Sequence, residues 1–309
     1  MRAFLHGFGM HAPERVVSNA EMAARVERTA EWIEGACGIR ERHWAAAETS
    51  VADLALAAAR DCLARTGVPA PSLGLIIVAS GSARPGFPGP AAEVAARLGL
   101  DSTPAIDVPM ASAGSLFGMV MAAQMAADFD DVLVIGAEKM SAVIETAALD
   151  PNTAILFGDG AGAVLVSARP GPWEILDAVL HSDGQYRDSL AFDWSAPLRM
   201  DGLSVILQAA RKLPSSIQEV LTRQKVAAAD VKVFLLHQAN QNLLVRVAKS
   251  LGVPAERVYS NVARYGNTSS ASMLIAAAEW SQANPALGPV VFSAFGAGFH
   301  WGALLARGA

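Results

Sequence analysis

Short apolar runs alternate with longer Ala-rich stretches along the whole chain, and this alternation limits the folds open to it. Leu73–Ala79 and residues 132–136 are apolar runs of the length and composition of strands buried on both faces. Residues 52–64 and 90–98 have the length and composition of helices. Strand–helix alternation of this kind predicts an α/β fold with mostly parallel sheets.

The two halves of the chain repeat one arrangement. A predicted strand at residues 104–108 leads through the small-residue loop MASAG, which contains Ser112, into a long apolar helix. In the second half, residues 258–261 lead through YGNTSS, which contains Ser269, into another apolar helix. Each half then closes on a similar Gly-rich phrase, FGDGAG in the first and FGAG in the second. Three matches in the same order predict two divergent copies of one α/β unit.

Composition and charge narrow the classes of function. In a chain of 309 residues, 52% hydrophobic and 17% charged residues predict a large buried core. The net charge is −5, and the chain has no long run of like charges. A nucleic-acid binder needs a basic surface, so this class of function is not expected. Polar residues interrupt the Ala-rich stretches, and the N-terminus lacks the pattern of a signal peptide. The sequence therefore predicts a soluble, cytoplasmic protein with no nucleic-acid or membrane partner.

Three polar residues follow predicted strands or turns and are candidates for chemistry. Ser112 precedes a helix whose N–H groups and dipole stabilise negative charge, although the local sequence alone favours a helix-capping serine. His237, in LLHQAN, lies at the carboxyl end of a predicted buried strand, where α/β folds place catalytic groups. Asn267, in RYGNTSSAS, fits a turn residue before a helix, with Thr268 or Ser269 as the cap.

Several longer phrases resemble the β-ketoacyl-ACP synthases III. They occur in the order of that family over nearly the whole chain: GFGMHAPERVVSN, EWIEGACGIRERHWA, VLVIGAEKMS, ILFGDGAGAVLV, LLHQAN, NVARYGNTSSAS and SAFGAGFHWGALL. The resemblance implies a thiolase fold, in which two similar halves of βαβαβαββ type pack as a five-layered α/β structure. Residues 1–168 would carry the nucleophile position, residues 169–309 would carry the histidine and asparagine, and the assembly would usually be a homodimer.

The resemblance also implies a Cys-His-Asn active site, with the histidine at His237 and the asparagine at Asn267. The cysteine position falls on Ser112. In the family, the cysteine takes an acyl group from acyl-CoA, the histidine and asparagine hold the malonyl-ACP thioester during loss of carbon dioxide, and the carbanion attacks the acyl-enzyme. These properties imply CoA or phosphopantetheine thioesters as substrates, acyl-CoA or an acyl carrier protein as partner, and no cofactor or metal. We therefore predict a condensing acyltransferase of fatty-acid or polyketide-type biosynthesis.

The serine at position 112 leaves several interpretations open. A serine hydroxyl is a far weaker acid than a thiol with a pKa of about 8.5, so it needs a general base, for which His237 is the candidate. The enzyme acylates itself at Ser112, or it is a non-condensing variant. Such a variant is a malonyl decarboxylase or a non-catalytic subunit that associates with a cysteine-bearing synthase. The serine can also be an engineered change in a normal condensing enzyme, and a Ser-His hydrolase is a further alternative.

The residues expected at the substrate entrance depart from the family pattern. Members often carry arginines, which pair with CoA phosphates, at the positions of Ala36 and Asn242. Trp32 remains as a stacking surface for the adenine. Without the two arginines, a preference for CoA is less expected, and a carrier-protein donor or an unusual acyl thioester becomes more so. Arg246 and Lys249 are candidates to meet an acidic carrier protein. A solvated helix face explains these two residues equally well.

Three further residues have candidate roles at the site, the first of them through the resemblance. Phe87, in GFPG, matches a loop that reaches toward the acyl pocket of the partner subunit in the family. Ordinary packing is the alternative for this phenylalanine. The backbone near Phe295 and Gly296 is a candidate to bind the oxyanion of a tetrahedral intermediate.

Overall fold

The computed structural model describes residues 2–145, 150–284 and 286–308. Its strands are β1 Phe4–His11, β2 Val16–Ser18, β3 Glu41–His43, β4 Leu73–Ala79, β5 Ala105–Val108, β6 Asp131–Lys139, β7 Asp159–Ser167, β8 Trp173–Ser182, β9 Leu190–Ala191, β10 Arg199–Met200, β11 Val233–Leu236, β12 Gly288–Gly296 and β13 His300–Gly308. Its helices are α1 Asn19–Val26, α2 Ala30–Cys37, α3 Val51–Thr66, α4 Pro90–Arg97, α5 Gly114–Phe129, α6 Met140–Ile144, α7 Pro151–Ala154, α8 Gly202–Arg223, α9 Gln241–Leu251, α10 Val262–Tyr265 and α11 Ser272–Ala283. Within these ranges, no helix combines the length and hydropathy needed to cross a bilayer.

The main sheet of the described residues is mixed, with the strand order β11-β12-β13-β8-β1-β7-β6-β4-β5. Strand β4 pairs in parallel with β5 and β6, and β11 pairs in parallel with β12. The other neighbours in the order pair antiparallel. The prediction of mostly parallel pairing is therefore wrong. Parallel pairs need a helical crossover, whereas β12 and β13 are joined by a short hairpin and must run antiparallel.

The sheet consists of two parts that meet at a short seam. Strands β1 and β8 pair through only two residue pairs, Phe4 with Glu174 and Leu5 with Trp173. The strands on one side of the seam come from residues 4–167, and those on the other side come from residues 173–308. Outward from the seam, each side has two antiparallel pairings followed by parallel ones. The first side has two parallel pairings, from β6 through β4 to β5, and the second has one, between β12 and β11. This arrangement places equivalent loops of the two sides near each other.

Helices form three layers around the two parts of the sheet. Helices α5 and α11 lie between them and contact strands of both. Helix α3 covers the outer face of β1, β7 and β6, while α8 covers the outer face of β13, β12 and β8 and packs on α9. The buried apolar side chains fall into three clusters, one for each helical layer. The five-layered α/β arrangement implied by the resemblance is therefore confirmed.

The predicted elements in the first half agree with the structure at most positions. The predicted strand Leu73–Ala79 is β4, and the helix predicted at 52–64 is α3, which begins after a capping box formed by Ser50 and Asp53. The internal repeat matches residues 258–261 to the strand predicted at residues 104–108, but residues 258–261 form no regular strand. Only Val258 makes an isolated bridge, to Phe234, because the Asn261 N–H donates to the Gln238 side chain instead.

Close packing brings the start of α11 against the first half of the chain. A Cβ atom at Gly136 in β6 would collide with the carbonyl oxygen of Ser270. A Cβ atom at Gly162 in β7 would collide with the backbone of Ile275, 2.8 Å from its nitrogen. The glycines therefore allow the TSSAS turn of the second half to reach the strand ends of the first half, where Ser112 is located.

Candidate active site

Ser112, His237 and Asn267 all line one cavity of ≈ 210 Å³. The three residues come from different loops, so only the tertiary fold brings them together. The rest of the lining is mainly apolar and comes from α6, the β9–β10 hairpin, α8 and α9. It includes Met140, Phe157, Phe192, Leu198, Leu213 and Leu243. An apolar cavity with a few converging polar groups is the usual form of a small-molecule site.

Ser112 occupies a tight turn between β5 and α5 and is not a helix cap. The N-cap of α5 is Ala113, which makes no side-chain capping bond, so the expectation of a capping serine is wrong. Ser112 has φ +62°, a left-handed conformation that is uncommon for a residue with a side chain. A Cβ at Gly296 would collide with the Ala111 carbonyl, so the backbone at Phe295–Gly296 packs directly on this turn. A constrained strand-to-helix turn of this kind presents a nucleophile at the top of a sheet.

The serine turn of the second half contacts Ser112 directly. The Ser112 N–H donates to the Ser269 hydroxyl at 2.9 Å, and the two hydroxyl oxygens lie 3.5 Å apart. Ser269 has φ +47° and is buried. The expected capping by Thr268 or Ser269 is wrong, because the N-cap of α11 is Ala271 and neither hydroxyl caps that helix. Ser269 instead lines the cavity, and its hydroxyl contacts the Ser112 turn.

The side-chain amide of Asn267 has a defined orientation. Its Oδ1 accepts the Ser269 N–H at 2.9 Å, which leaves the Nδ2 hydrogens available to a group in the cavity. The backbone of Asn267 is held from both sides, because its N–H donates to Leu156 O at 2.8 Å and its carbonyl accepts from Gly158 N at 3.1 Å. The phrase ILFGDGAGAVLV, which contains Leu156 and Gly158, therefore positions the asparagine. The assignment of Asn267 as a mere turn residue does not account for these contacts.

His237 extends the β11–β12 pairing by one bond, from its N–H to the carbonyl of Ser293 at 2.9 Å. Its Nδ1 lies 2.6 Å from the hydroxyl of Ser272, and that hydroxyl also accepts the Gln238 N–H at 3.0 Å. Burial lowers the pKa of His237 to about 4, while a backbone hydrogen bond with Ser269 acts in the opposite direction. The imidazole is therefore neutral near pH 7, and it can donate one hydrogen bond without carrying a charge.

A buried carboxylate holds the loops of the two halves together below the cavity. Glu138 is fully buried and accepts from the hydroxyls of Ser80, Ser82 and Ser270 and from the N–H groups of Gly81, Ser82 and Ser270. The distances run from 2.5 Å for the Ser82 hydroxyl to 3.2 Å for the Ser80 hydroxyl. Gly81 itself lines the cavity. Six donors compensate the cost of burying the carboxylate charge.

The predicted entrance residues lie outside the cavity. Trp32 is 38% exposed on α2, and the Arg28 guanidinium lies 5.4 Å from its ring centroid. The two positions that lack the family arginines contact each other, because Asn242 Nδ2 donates to the Ala36 carbonyl at 3.1 Å. Sequence reasoning missed Arg28, which places a basic group over the predicted adenine surface. Its position four residues before Trp32 in the sequence is the signal that could have identified it.

The other predicted binding residues divide between the cavity and the surface. Phe295 lines the cavity and packs against Phe299 with ring centroids 4.7 Å apart. Phe87 does not line the cavity, and its side chain is fully exposed on the loop between β4 and α4. Arg246 and Lys249 are both exposed on α9, whose residue Leu243 does reach the cavity. In the described residues, no cluster of His, Cys, Asp or Glu has the geometry of a metal site.

Ser269, Ser272 and Glu138 are the site residues that sequence reasoning missed or misread. The run TSSAS, whose hydroxyls follow directly after Asn267, is the sequence signal that could have identified the two serines. Capping explains one or two such hydroxyls but not all of them. In the structure, Ser269 contacts the Ser112 turn, Ser270 contacts Glu138, and Ser272 contacts the histidine.

Comparison with known proteins agrees with this geometry. Residues 106–184 match the family 3-oxoacyl-[acyl-carrier-protein] synthase III, and residues 221–307 match its C-terminal region. A β-ketoacyl-[acyl-carrier-protein] synthase III of Oleidesulfovibrio alaskensis is 37% identical, with 99% of each chain covered. The crystal structure of 3-oxoacyl-[acyl-carrier-protein] synthase III from Aquifex aeolicus matches with a TM-score of 0.94 and 32% identity, covering 99% of each chain.

A similar structure also comes from a polyketide system. The priming β-ketosynthase of the R1128 polyketide biosynthetic pathway matches with a TM-score of 0.90 and 30% identity, covering 99% of this chain and 96% of that one. The thiolase fold expected from the sequence is therefore confirmed. Full-length identity above 30%, agreement of the folds, and matches in both halves lead to one conclusion: this chain belongs to the β-ketoacyl-[acyl-carrier-protein] synthase III family of condensing enzymes.

Proposed function

We propose that this chain loads an acyl group from acyl-CoA or an acyl carrier protein onto Ser112 and extends it with a malonyl thioester. The observation that supports this proposal is the convergence of Ser112, His237 and Asn267 on one largely apolar cavity. Apolar walls suit an acyl chain, and the three polar groups lie where such a chain would present its thioester.

In the loading step, Ser112 Oγ attacks the thioester carbonyl, and the C–S bond of the donor breaks. The serine proton passes to His237 and then to the departing sulfur, which leaves as a thiol. The backbone at Phe295–Gly296, which packs on the Ser112 turn, is the proposed site for the oxyanion. Because burial lowers the pKa of His237 to about 4, the histidine is a weak base, and loading of a serine should be slow.

In the extension step, His237 and Asn267 donate neutral hydrogen bonds to the thioester oxygen of the malonyl group. The bond to the carboxylate breaks, carbon dioxide leaves, and the electron pair forms an enolate that the two donors stabilise. The carbanion attacks the ester carbonyl of the acyl-enzyme, and Ser112 Oγ departs and regains a proton. An ester is less reactive toward this carbanion than a thioester, so condensation should be slower than with a cysteine.

The surface residues have proposed roles in delivery of the substrates. Arg246 and Lys249 are exposed on α9, the helix whose residue Leu243 lines the cavity, and they would meet an acidic carrier protein. Trp32 offers part of its ring for stacking of an adenine. The fully exposed Phe87 would be covered in a homodimer, because a phenylalanine in open water is unfavourable.

We also propose residues 1–168 and residues 169–309 as the two repeated units of the chain. The proposed boundary falls between β7, which ends at Ser167, and β8, which begins at Trp173. The repeat would place Ser112 in one unit and His237 with Asn267 in the other. The cavity would therefore form only when both units pack together.

Intact-mass measurement tests the loading step. The protein, Ser112→Ala and Ser112→Cys are each mixed with a panel of acyl-CoA and acyl-carrier-protein donors. We expect the parent to gain the acyl mass, Ser112→Ala to gain none, and Ser112→Cys to load at least about tenfold faster because a thiolate is the stronger nucleophile. If the parent and Ser112→Ala both stay unmodified while Ser112→Cys loads, acyl transfer through Ser112 is excluded.

One observation favours a second candidate, a malonyl decarboxylase without acyl transfer. The Ser112 N–H is already bonded to Ser269, whereas the Asn267 Nδ2 hydrogens remain available in the cavity. The side-chain donor of Asn267 for the enolate is therefore available, whereas the backbone N–H of Ser112 already has a hydrogen-bond partner. This candidate predicts release of carbon dioxide from malonyl-CoA at the same rate in the parent and in Ser112→Ala, with no acylated protein.

A further inference from the structure

We propose that Ser272 is a positioning residue, which donates its hydroxyl to Nδ1 of His237 and thereby holds the imidazole as the tautomer with its hydrogen on Nε2. This inference rests on the proposed function, because it assigns a role to the same cavity. It concerns a residue that touches the histidine and does not itself line the cavity.

The contacts of the Ser272 hydroxyl support this direction of donation. Ser272 and His237 are both buried, and their Oγ and Nδ1 atoms are 2.6 Å apart. The Gln238 N–H can only donate, so Ser272 Oγ must accept that bond, at 3.0 Å. Among the described residues, these are the hydrogen bonds of the Ser272 hydroxyl. Nδ1 is then the acceptor for its hydrogen.

The opposite arrangement leaves a donor without a partner. If Nδ1 carried the hydrogen, Ser272 Oγ would accept from both Gln238 and His237, and its own hydrogen would have no acceptor among these contacts. A buried donor without a partner costs about 1–3 kcal/mol. The arrangement with the ring hydrogen on Nε2 is therefore favoured, because it leaves the buried hydroxyl of Ser272 with a partner for its hydrogen.

The tautomer determines what the histidine can do in the reaction. With the hydrogen on Nε2, His237 can donate to a thioester oxygen beside the Nδ2 hydrogens of Asn267. Acceptance of the Ser112 proton at Nε2 needs the other tautomer, with the hydrogen on Nδ1. Ser272 would therefore favour decarboxylation and would contribute to the slow loading expected for the serine. A hydroxyl suits this task, because it accepts from Gln238 and donates to His237 at the same time.

Nuclear magnetic resonance of the full-length protein labelled with ¹⁵N-histidine tests the tautomer directly. The chain has 6 histidines, and loss of one ring signal in His237→Gln assigns the signal of interest. Long-range ¹H–¹⁵N couplings show which ring nitrogen carries the hydrogen. We expect Nε2–H in the parent and partial transfer to Nδ1–H in Ser272→Ala. A parent spectrum with Nδ1–H would overturn the inference.

Kinetics give the second readout, with carbon dioxide release from malonyl-CoA as the assay. We expect Ser272→Ala to lower kcat at least about tenfold with little change in KM, since loss of the correct histidine tautomer is costly in other enzymes. Ser272→Thr keeps a hydroxyl and should restore the parent spectrum and most of the rate. Ser281→Ala, on the same helix, removes a hydroxyl that donates to the Ala278 carbonyl; it is the matched control and should change neither the spectrum nor the rate. A Ser272→Ala enzyme with the parent's spectrum and rate would contradict the inference.

The two readouts separate this inference from the proposed function. If the parent shows Nε2–H and Ser272→Ala changes the tautomer, the positioning role stands even when malonyl-CoA is not decarboxylated. The absence of decarboxylation would then overturn the extension step alone.

Discussion

The backbone N–H of Ser112 donates to the hydroxyl of Ser269 at 2.9 Å, across 157 residues of sequence. The two serines are the residues that the internal repeat sets opposite each other, and both have a positive φ. Each lies in a tight turn before one of the two central helices, α5 and α11. Both helices belong to the layer between the two parts of the sheet, and α5 contacts the turn at Ser269–Ala271, so the two turns meet at the cavity.

Removal of the Ser269 hydroxyl should destabilise the protein. In Ser269→Ala, the buried N–H of Ser112 loses its acceptor, and we expect the free energy of unfolding to fall by about 1–3 kcal/mol. Denaturant unfolding followed by circular dichroism measures this change. The same substitution at the less buried Ser281 should change the free energy by no more than about 0.5 kcal/mol. Equal effects at both serines would argue against a structural role for the bond to Ser112.

The fold could be predicted from the sequence because its elements have simple apolar patterns. The run LGLIIVA has the bounds of β4, and the Ala-rich stretch at 52–64 lies within α3. The direction of strand pairing could not be predicted in the same way. The hydrophobic pattern indicates that a strand is buried, but it does not indicate which strand lies beside it. The antiparallel pairings of β7 with β6 and of β13 with β12 were therefore not predicted.

The site was only partly predictable. Local sequence favoured capping for Ser112 and a turn role for Asn267, and only the family resemblance singled them out together with His237. The partners of the serines in TSSAS could not be predicted, because they depend on distant parts of the chain. Ser270 reaches Glu138 across 132 residues, and Ser272 reaches His237 across 35. The catalytic roles of Ser112, His237 and Asn267 stay predictions until the variants are measured.

Glu138→Gln should be strongly destabilising despite its similar size. The glutamine has one acceptor oxygen and a donor group that would face the N–H groups now bonded to the carboxylate. We expect a loss of about 2–4 kcal/mol in the free energy of unfolding, because hydrogen bonds to a buried charged group are the stronger ones. Acyl loading should also fall, since Glu138 ties the Ser270 turn to Gly81 at the cavity. Thermal and denaturant unfolding measure the first effect, and intact mass measures the second.

Glu256→Gln is the matched control for this substitution, because Glu256 is exposed on the surface. Its stability should stay within about 0.5 kcal/mol of the parent. A Glu138→Gln protein as stable as Glu256→Gln would show that the six donors contribute little to the fold.

Charge reversal on α9 should weaken use of a carrier protein without affecting small donors. In the double variant Arg246→Glu, Lys249→Glu, we expect KM for a malonyl carrier protein to rise about tenfold or more, because like charges now oppose an acidic partner. The rise should shrink at high salt, since exposed charges are screened. KM for malonyl-CoA should stay within about twofold. Steady-state kinetics at two ionic strengths measure these effects.

The control for charge itself is Lys232→Glu, at an exposed position beside β11. It should leave both values of KM unchanged. An equal rise of KM for the carrier protein and for malonyl-CoA in the double variant would place Arg246 and Lys249 at the small-molecule entrance instead.

His237 should make the stability of the fold depend on pH in a defined window. Burial lowers its pKa from 6.5 to about 4, so between these values the unfolded chain binds a proton that the folded chain does not. The stabilising contribution is therefore complete above pH 6.5 and is lost as the pH falls toward 4, by about 3 kcal/mol in total. In His237→Gln, the free energy of unfolding should fall less steeply over this window, by about 1.4 kcal/mol per pH unit.

Denaturant unfolding at several pH values between 4 and 7 measures the two slopes. Asp159, whose pKa is raised by burial, contributes to both proteins and cancels in their difference. The difference in slope also does not depend on whether the glutamine lowers stability at all pH values. Parallel curves for the parent and His237→Gln would mean that the folded histidine binds its proton as readily as the unfolded one, and it would then be partly cationic in the cavity near pH 6.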